Sequence, residues 1–513
     1  MDMTHHEFVF TPRNFREIPI WESVTDEQWH DPHWQLENSI TDVETLSGII
    51  QLSAHQKNAI HDTLEGMRSQ GKEPMRIPPY YASLMAQNPF DPTYPDGEHL
   101  EDKLDPIFWQ SVPTPAHLLF PQAGVEQSMA ESERTFGAFY QRYPNRGALF
   151  VCENTSCASF CTHCQRTKSL DTTARITRDA LARGLFYISR NENINEVLVT
   201  GGDALRISKE RFFYVIGELC KMPNVKCIRI ATRVPVVLPM SVTDDLLSTI
   251  DDTIKTNTRG VQKNVYFMTH VNHYHEITPD FIQCIQKIKQ HGYAIRNQTV
   301  FLNHVNADFY TLAETFRRMW WAGVAPYYLL QCHNEKGLTH FIAPIHLGKY
   351  LTKHLHGWIS GTCRPTYSAN LEGGGGKVTL TPSGYDINDE TLSLEQKASK
   401  VAVTIHTWDD KIMRGYEALG RATQAEYDQA RKVMDSFIGK RNIFKPAVII
   451  IGENGAPVRA TRQKLPKLTN SLKADLLGYT KESDGMPLTN PADIEETLEK
   501  EFRESDYSRT GNH

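Results

Sequence analysis

Short apolar runs alternate with amphipathic stretches of helical length over the middle of the chain, from about residue 147 onward. The apolar runs, which are rich in β-branched residues, cover 148–152, 196–200, 227–232, 265–270, 294–302 and 326–332. The stretches with helical spacing cover 177–190, 209–221, 242–250, 279–291 and 309–322. Alternation of this kind predicts parallel β/α units. Six units predict an α/β fold, either a partial barrel or an open doubly wound sheet, and the pattern alone does not decide between them.

The two ends of the chain have different patterns. Residues 1–140 predict a helical region, and cap-like starts with helical spacing occur at 25–29, 53–70 and 128–143. Near the C-terminus the apolar run 447–451 predicts an added edge strand. After Lys464 the chain becomes polar, and 482–513 is predicted to be partly disordered. We therefore expect three regions, which are a helical region 1–140, a barrel 141–390 and a C-terminal extension 391–513.

Composition narrows the class of protein. The 513 residues are 40% hydrophobic and 23% charged, as in soluble globular proteins, and a net charge of −6 gives no electrostatic reason to expect a nucleic-acid partner. The sequence shows neither a basic and then apolar leader nor an apolar run long enough to span a bilayer, so we expect a cytoplasmic protein without a membrane partner. Nine cysteines, an odd number, argue against a disulfide framework.

Polar and glycine residues follow the predicted strands at the point where each strand ends. They are the cysteines near residue 160, the segment 200–205, Arg233, the group His270, Asn272 and His273, and the pair Gln331 and His333. Both candidate folds place catalytic groups at the carboxyl ends of parallel strands. The sequence therefore predicts a functional site on one face of the sheet.

Three cysteines, Cys157, Cys161 and Cys164, form a C-x3-C-x2-C motif just after the first predicted strand. Thiolates hold iron–sulfur clusters, and three of them can bind a four-iron cube while leaving the fourth iron open to a small molecule. One alternative is a structural zinc site with Cys152 or His163 as fourth ligand, although no second ligand pair is present. The motif therefore favours a [4Fe-4S] cluster and one-electron chemistry.

A second candidate is Lys377, which follows the four glycines 373–376. A P-loop is excluded because Leu371 and Val378 stand where that motif needs glycine and Ser or Thr. Glycines before a lysine can instead provide a mobile tether, which suits Schiff-base chemistry with an aldehyde cofactor. A flexible surface loop with a solvated lysine is the alternative.

Two further motifs are suited to bind small ligands. Arg142, Tyr143 and Arg146 can clamp a phosphate and stack a ring, although a solvated basic turn would have the same sequence. The glycine pair 201–202, ahead of Asp203 at the end of the second predicted strand, lets a ligand approach the backbone closely.

The ordered set of motifs resembles the lysine 2,3-aminomutase family of radical S-adenosylmethionine (radical SAM) enzymes, in particular a glutamate 2,3-aminomutase-like member. The motifs are R-Y-P-N-R at 142–146, C-x3-C-x2-C-x-R at 157–166, T-G-G-D-A-L at 200–205, R-x-P-V-V-L-P at 233–239, T-H-x-N-H at 269–273, N-Q-T-V at 297–300, P-Y-Y-L-L-Q-C at 326–332 and G-G-G-G-K at 373–377. The resemblance covers roughly residues 100–390. It implies a partial (β/α)6 radical SAM barrel with an N-terminal helical extension and a C-terminal extension.

The resemblance also implies three cofactors, a [4Fe-4S] cluster, S-adenosyl-L-methionine and pyridoxal 5'-phosphate, and an isomerase that moves the α-amino group to C3. The cluster ligands would be Cys157, Cys161 and Cys164. The S-adenosylmethionine contacts would be Gly201, Gly202 and Asp203. The pyridoxal phosphate contacts would be Arg142, Tyr143, Arg146 and the catalytic Lys377, which would form the Schiff base. The residue that pairs with the substrate α-carboxylate would be Arg166.

Two positions depart from the lysine enzymes of this family, which hold the distal ammonium of lysine with two aspartates. Here those positions carry His333 and Asn370. A buried ammonium without a counter-charge is costly, whereas His333 can be charged and Asn370 can donate through its amide. The departure favours L-glutamate as the substrate and β-glutamate as the product, with glutamine, aspartate or another amino acid left open.

Three further expectations concern partners and rival functions. The resemblance implies a one-electron donor such as flavodoxin or ferredoxin, and a homo-oligomer stays open. No cysteine follows Cys363, so the zinc site that lysine aminomutases can carry near the C-terminus is not expected. The competing functions are an elimination or a decarboxylation on the same scaffold and, more distantly, a zinc-binding protein without catalysis.

Overall fold

The computed structural model describes the chain in separate segments. They are residues 9–71, 73–100, 103–120, 124, 135–152, 157–165, 176–258, 260–371, 376–380, 402–406, 412–416, 420–441, 443–451 and 457–460. Arg166, Gly373 to Gly375 and the predicted disordered tail 482–513 therefore lie outside the described residues.

The N-terminal region consists of short helices and irregular connections. The helices are α1 (Asp26–His30), α2 (Pro32–Glu37), α3 (Val43–Ser47), α4 (Ala54–Arg68), α5 (Pro79–Ala82) and α6 (Pro106–Ser111). The predicted helix starts at Thr25 and Ser53 are confirmed, because each side chain accepts a hydrogen bond from the third residue of its helix in a capping box.

Strands and helices alternate through the middle of the chain. The strands are β1 (Thr135–Phe136), β2 (Phe139–Tyr143), β3 (Arg146–Phe150), β4 (Glu196–Thr200), β5 (Cys227–Ala231), β6 (Asn264–Thr269), β7 (Ala294–Phe301), β8 (Ala325–Gln331), β9 (Thr366–Leu371) and β10 (Gly376–Thr379). The helices are α7 (Arg178–Arg190), α8 (Lys209–Lys221), α9 (Val234–Val237), α10 (Asp244–Asn257), α11 (Pro279–Gln290), α12 (Phe309–Trp321) and α13 (Ile345–Trp358). The six predicted apolar runs fall on β3 to β8.

These ten strands form one sheet in which the spatial order equals the order along the chain. Neighbours from β3 to β9 are parallel, whereas β1, β2 and β3 pair antiparallel and so do β9 and β10. A doubly wound sheet needs a reversal of strand order, and none occurs among these strands. One cavity of about 650 Å³ is lined by residues from every strand from β2 to β10, so the sheet curves around it. The predicted partial barrel is confirmed.

The two ends of the curved sheet meet through hydrogen bonds between side chains of β2 and residues of β9 and β10. The Tyr143 hydroxyl, at the end of β2, accepts a hydrogen bond from the backbone N–H of Lys377 on β10 at 2.8 Å. Arg142 Nη1 donates to Asn370 Oδ1, on β9, at 3.3 Å. We call this junction the seam of the barrel.

Two secondary-structure predictions were wrong. Residues 135–143 form β1 and β2 instead of the end of a helix, while the remainder of that predicted helix, 128–134, lies outside the described residues. Gly137, at φ +58°, makes the turn between these strands, and an added Cβ would meet the Ala180 carbonyl oxygen at 2.5 Å. The run 447–451 is not an edge strand, because β14 (Val448–Ile451) lies between β13 (Gly420–Thr423) and β15 (Pro457–Ala460) in a separate sheet.

The C-terminal part also contains the antiparallel pair β11 (Ala402–His406) and β12 (Ile412–Tyr416) and the helix α14 (Gln424–Ile438). The end of α14 packs on the N-terminal region, since Phe437 stacks edge-on against Phe90 at 5.3 Å. The division at residues 140 and 390 stays a prediction. Within the described part of the chain, no helix has both the length and the apolar character that a membrane span requires.

Candidate active site

The cysteine motif lies in the connection between β3 and α7, where the N-terminal region covers it. The Phe160 N–H donates to the Arg76 carbonyl at 2.9 Å. The Thr162 hydroxyl donates to the Trp109 carbonyl at 2.6 Å, and the Thr162 N–H donates to the Gln110 carbonyl at 3.0 Å. The backbone of the motif is therefore held by residues that precede the barrel in the chain.

The three thiols lie at the edge of the cavity, close enough to influence one another. Burial raises the pKa of Cys157 well above its usual value, and the neighbouring Asp203, Cys164 and Cys161 add to this effect. Burial likewise raises the pKa of Cys161. Binding of a metal group to such thiols must displace their protons. The donor set therefore fits a metal group that neutralises several thiolates at once.

One of the two candidate fourth ligands of a single zinc ion is already engaged by another side chain. Among the residues that the structure describes, no three side chains of His, Cys, Asp or Glu converge on one metal position. His163, one candidate for the fourth zinc ligand, points its Nε2 at His270 Nε2, 3.0 Å away. His270 donates through Nδ1 to the Gln298 carbonyl at 2.7 Å, so its Nε2 is the acceptor in that pair. With His163 engaged by His270, three cysteine ligands suit a four-iron cluster with one open iron better than a four-coordinate zinc ion.

The glycine pair ends β4 beside the cysteines. Gly201 and Gly202 have φ values of +107° and +71°, which residues with a Cβ atom rarely adopt. Gly202 and Asp203 line the cavity, and Gly201 does not. The carboxylate of Asp203 accepts hydrogen bonds from the backbone N–H groups of Leu205 at 3.0 Å and Arg233 at 2.6 Å. It therefore fixes the ends of β4 and β5 next to the cysteine motif.

Lys377 lies on β10, directly opposite Asn370 on β9. Residues that face each other in an antiparallel pair point to the same side of the sheet, and both line the cavity. Burial, and then Arg142, Arg229 and Arg146, lower the pKa of Lys377 to about 7. Lys377 is thus part of a paired strand, and the mobile tether stays a prediction because Gly373 to Gly375 lie outside the described residues.

His333 contacts the same group of residues. Asn370 Nδ2 donates to His333 Nε2 at 3.0 Å, while Asn370 Oδ1 accepts from Arg142. Burial, and then the charges of Lys377 and Arg142, lower the pKa of His333 to about 3. A pKa this low keeps the His333 ring uncharged at neutral pH, whereas the sequence alone had allowed a charged ring. The ring is a neutral hydrogen-bonding group, with its proton on Nδ1.

A cluster of cations surrounds Lys377. Arg142 is buried on β2 and donates through Nε to the Tyr140 hydroxyl at 2.9 Å. The guanidinium of Arg146, at the start of β3, lies 4.2 Å from the centroid of the Tyr143 ring. The alternative of a solvated basic turn is wrong for Arg142. Lysine and two arginines around an enclosed space fit a phosphorylated aldehyde, which needs an unprotonated amine for attachment and cations for its phosphate.

One cavity thus joins the predicted site residues. Its lining includes Arg142, Tyr143, Arg146, Cys157, Cys161, Cys164, Gly202, Asp203, His333, Asn370 and Lys377. Arg166 lies outside the described residues. The sequence did not single out Glu196, Arg229 and Tyr328, which also line the cavity, and it gave no signal for them beyond inward positions on strands.

Known proteins that are similar in sequence to this chain include several 2,3-aminomutases, although no family model matches the chain. The L-lysine 2,3-aminomutase of Methanococcus maripaludis is 32% identical over 366 residues, 71% of this chain and 78% of the relative. The glutamate 2,3-aminomutase of Clostridioides difficile is 32% identical over 391 residues, 76% of this chain and 83% of the relative. The L-lysine 2,3-aminomutase of Clostridium subterminale is 30% identical over 370 residues, 72% and 82% of the two chains.

Similarity to solved structures is weaker. The radical S-adenosylmethionine methyltransferase TsrM of Kitasatospora setae, with tryptophan and an S-adenosylmethionine analogue bound, has a TM-score of 0.26 and 10% identity over 39% of each chain. A radical SAM methyltransferase of Sphaerobacter thermophilus has a TM-score of 0.30 and 13% identity over 45% of this chain and 68% of the other. Scores this low support no functional conclusion.

Proposed function

Because the chain belongs to the family of 2,3-aminomutases, which are isomerases of amino acids that work with a [4Fe-4S] cluster, S-adenosylmethionine and pyridoxal phosphate, we propose that it acts on L-glutamate and forms β-glutamate. The relatives include both lysine and glutamate enzymes at similar identity, so overall similarity does not choose between these substrates. The choice depends on the side chains around Lys377.

The observation that carries the proposal is the pair formed by His333 and Asn370. They contact each other at 3.0 Å, and both line the cavity beside Lys377. Neither carries a negative charge, since Asn370 is a neutral amide and His333 is a neutral imidazole whose pKa is about 3. A substrate with a distal ammonium would find no counter-charge in these two side chains. A distal carboxylate or amide would instead meet neutral hydrogen-bonding side chains at these two positions.

The charge of the whole cavity favours an anionic substrate as well. Among the described lining residues, two carry carboxylates, Glu196 and Asp203. Glu196 pairs with Arg229 at 2.9 Å, and Asp203 accepts backbone hydrogen bonds near the cysteines. At the Lys377 end the described lining therefore holds the arginines Arg142 and Arg146 and, as a carboxylate, the paired Glu196. A lysine substrate would add another positive charge to this end.

The chain offers a separate set of residues to each cofactor. Cys157, Cys161 and Cys164 would bind the cluster, and Gly202 with Asp203 would contact S-adenosylmethionine, with Gly201 shaping the turn. Together these two cofactors supply a carbon radical that can remove hydrogen from C3 of the substrate. Arg142, Tyr143, Arg146 and Lys377 would hold pyridoxal phosphate, which supplies the group that lets nitrogen migrate. Arg166 stays the predicted partner of the substrate α-carboxylate.

The residues of the chain then act by holding and orienting. The near-neutral pKa of Lys377 makes part of its amine unprotonated at pH 7, as covalent attachment to an aldehyde requires. The Tyr143 hydroxyl fixes the Lys377 backbone, and Arg142 fixes Asn370. Asn370, which would contact the distal group of the substrate, is thus hydrogen-bonded to Arg142, which would bind the phosphate. Binding of both in one cavity would bring the reacting atoms together in a fixed orientation.

The decisive experiment is turnover under anaerobic conditions. The reconstituted protein is incubated with S-adenosylmethionine, pyridoxal phosphate, dithionite and, separately, L-glutamate, L-glutamine, L-aspartate and L-lysine. We expect 3-aminopentanedioate from L-glutamate, without release of ammonia or carbon dioxide. Ammonia would indicate an elimination, and carbon dioxide a decarboxylation. Turnover of L-lysine in preference to L-glutamate would overturn the substrate assignment.

Two partner predictions follow from the same proposal. The reaction needs one electron to start, so flavodoxin or ferredoxin would replace dithionite in the cell. Reduction of the protein by purified flavodoxin, followed by release of 5'-deoxyadenosine, tests this partner. A homo-oligomer stays open, and light scattering of the anaerobic protein would settle its size.

A further inference from the structure

Arg233 joins the N-terminal region, the barrel and the cysteine motif at a single buried point. It follows β5, and its side chain is 9% exposed. Nη1 lies 2.6 Å from Cys161 Sγ. The two hydrogens of Nη2 are shared among three acceptors within hydrogen-bond distance, which are the Tyr81 hydroxyl at 2.8 Å, Gln110 Oε1 at 3.0 Å and Glu276 Oε1 at 2.7 Å. Tyr81 and Gln110 belong to the N-terminal helices α5 and α6.

These partners leave the guanidinium little freedom. Nε donates to the His270 carbonyl at 3.2 Å, so all three nitrogens of the side chain have acceptors. Glu276 is itself fixed, because it accepts hydrogen bonds from the Tyr81 hydroxyl at 2.6 Å and from the backbone N–H of Asn272 at 2.6 Å. A charge held on every side in this way keeps its position whether or not a ligand fills the cavity.

We propose that Arg233 is a positioning residue for the metal cluster, which holds the Cys161 thiolate in place and keeps a fixed positive charge beside the cluster so that its reduction becomes easier. The proposal rests on the cluster assignment made above. It also gives the N-terminal region a role in the chemistry, because Tyr81 and Gln110 lock the guanidinium from outside the barrel. Arg233 is not a catalytic residue in this view, since it acts through Cys161.

The sign of the effect follows from electrostatics. Reduction adds one electron to a cluster that already carries the charge of its thiolates, and a nearby cation stabilises the more negative form. An N–H group that donates to a ligand sulfur acts in the same direction. Replacement of Arg233 by a neutral residue removes both effects and leaves Glu276 as an uncompensated negative charge. The reduction potential should therefore fall.

The experiment is a redox titration of the reconstituted cluster, followed by electron paramagnetic resonance, in the wild type and in Arg233→Gln and Arg233→Lys. For Arg233→Gln we expect the equilibrium constant for one-electron reduction to fall at least tenfold, a shift of 59 mV or more toward negative values. Arg233→Lys keeps the charge and should recover part of the shift. The matched control is Arg318→Gln, which removes an arginine paired with Glu314 at 2.9 Å on α12, and its potential should equal that of the wild type.

A second pair of variants tests the hydrogen bond between Tyr81 and Arg233 without removing the positive charge. Tyr81→Phe deletes the hydroxyl that contacts Arg233, and we expect a smaller shift toward negative potential. Its control is Tyr80→Phe, next in the chain, whose hydroxyl contacts Thr278 instead. This pair decides the question if Arg233→Gln does not fold. A folded Arg233→Gln that binds less iron than Arg318→Gln would also support the role in holding Cys161.

Wild-type potential in Arg233→Gln, or equal shifts in Arg233→Gln and Arg318→Gln, would overturn the proposal. In the Tyr81 pair, an unchanged potential in Tyr81→Phe or equal shifts in Tyr81→Phe and Tyr80→Phe would do the same. A different result bears on the function itself, because a wild-type protein that binds no cluster after reconstitution would refute the cluster assignment before any variant is compared. The two failures are therefore distinguishable.

Discussion

Lys377 and Asn370 face each other on neighbouring antiparallel strands, with Asn370 in contact with His333 and Arg142. The register of β9 and β10 alone places Lys377, which would bind the cofactor covalently, beside Asn370, which would contact the substrate. A change of side chain at position 370 therefore acts directly on the space next to Lys377.

The first prediction concerns substrate choice. The double variant His333→Asp with Asn370→Asp introduces two carboxylates at the positions where the lysine enzymes have them. We expect kcat/KM for L-glutamate to fall by at least a hundredfold, because like charges would meet in a buried site. L-Lysine should become a detectable substrate, as measured by chromatography of the β-amino acid products.

A suitable control for this variant is Asn193→Asp, which adds a charge at an exposed turn. It should leave both activities near the wild-type level. If the double variant still preferred L-glutamate, other residues would set the specificity in place of His333 and Asn370.

The second prediction concerns the pH dependence of cofactor attachment. Lys377 has a pKa of about 7, below the usual 10.5, so its nucleophilic neutral form increases as the pH rises through 7. We expect pyridoxal phosphate to attach to the apoprotein with a rate that rises from pH 6 and levels off above about pH 8. Borohydride trapping and peptide mass spectrometry measure the attachment and identify the lysine.

In this experiment Lys377→Arg should show no trapped product at position 377. An ordinary solvated lysine would instead show a rate that keeps rising toward pH 10. That profile in the wild type would refute the buried, cation-lined environment of Lys377.

The third prediction separates cluster ligands from other cysteines. Replacement of Cys157, Cys161 or Cys164 by Ala should each abolish binding of the four irons expected per chain. Cys152→Ala and Cys332→Ala remove buried thiols that lie near or in the same cavity but outside the motif. These two variants should retain their iron, which is measured by colorimetric iron and sulfide assays after anaerobic reconstitution.

Zinc analysis of the same samples tests the rival function. A stoichiometric zinc ion that survives reconstitution and is lost in Cys152→Ala would support the structural zinc site instead.

The fourth prediction concerns stability. Glu276 is fully buried and contacts Arg233 at 2.7 Å. Glu276→Gln leaves the buried arginine without a counter-charge, so the free energy of unfolding should decrease by about 3–5 kcal/mol. Urea denaturation of the cluster-free protein, followed by circular dichroism, measures the change.

The comparison variant is Glu65→Gln, which removes an exposed pair with Arg68. Exposed ion pairs contribute less than about 1 kcal/mol, so its unfolding midpoint should hardly move. Equal destabilisation by the two variants would show that Glu276 does not carry the expected buried charge pair.

The positions of strands β3 to β8 along the chain could be predicted from the sequence because each is a short apolar run between amphipathic helices, whereas the pattern alone did not decide their order in the sheet. Residues 135–143 show the limit of that approach. Phe136, Phe139, Tyr140 and Tyr143 have the spacing of one helix face, yet they form β1 and β2. Pairing of β1 with β2 and of β2 with β3 decides their conformation, and a local pattern does not contain that pairing.

The site could be predicted in part for a related reason. Cys157, Cys161 and Cys164 are close in the sequence, so their spacing identifies them. Arg233 has its partners at positions 81, 110, 161 and 276, and only the folded chain brings these together. The environment of His333 could not be predicted, because its pKa is lowered first by burial and then by Lys377 on β10 and by Arg142, which approaches it across the seam.

The seam has a consequence for the lifetime of the protein. The sheet runs from β1 to β10 without a ladder of backbone hydrogen bonds between these two ends in the described strands. A cofactor attached to Lys377 on β10 and bound by Arg142 on β2 would act as a crosslink between the two ends of the sheet. The supply of pyridoxal phosphate would then determine how well the protein resists proteases and heat, as well as its rate of catalysis.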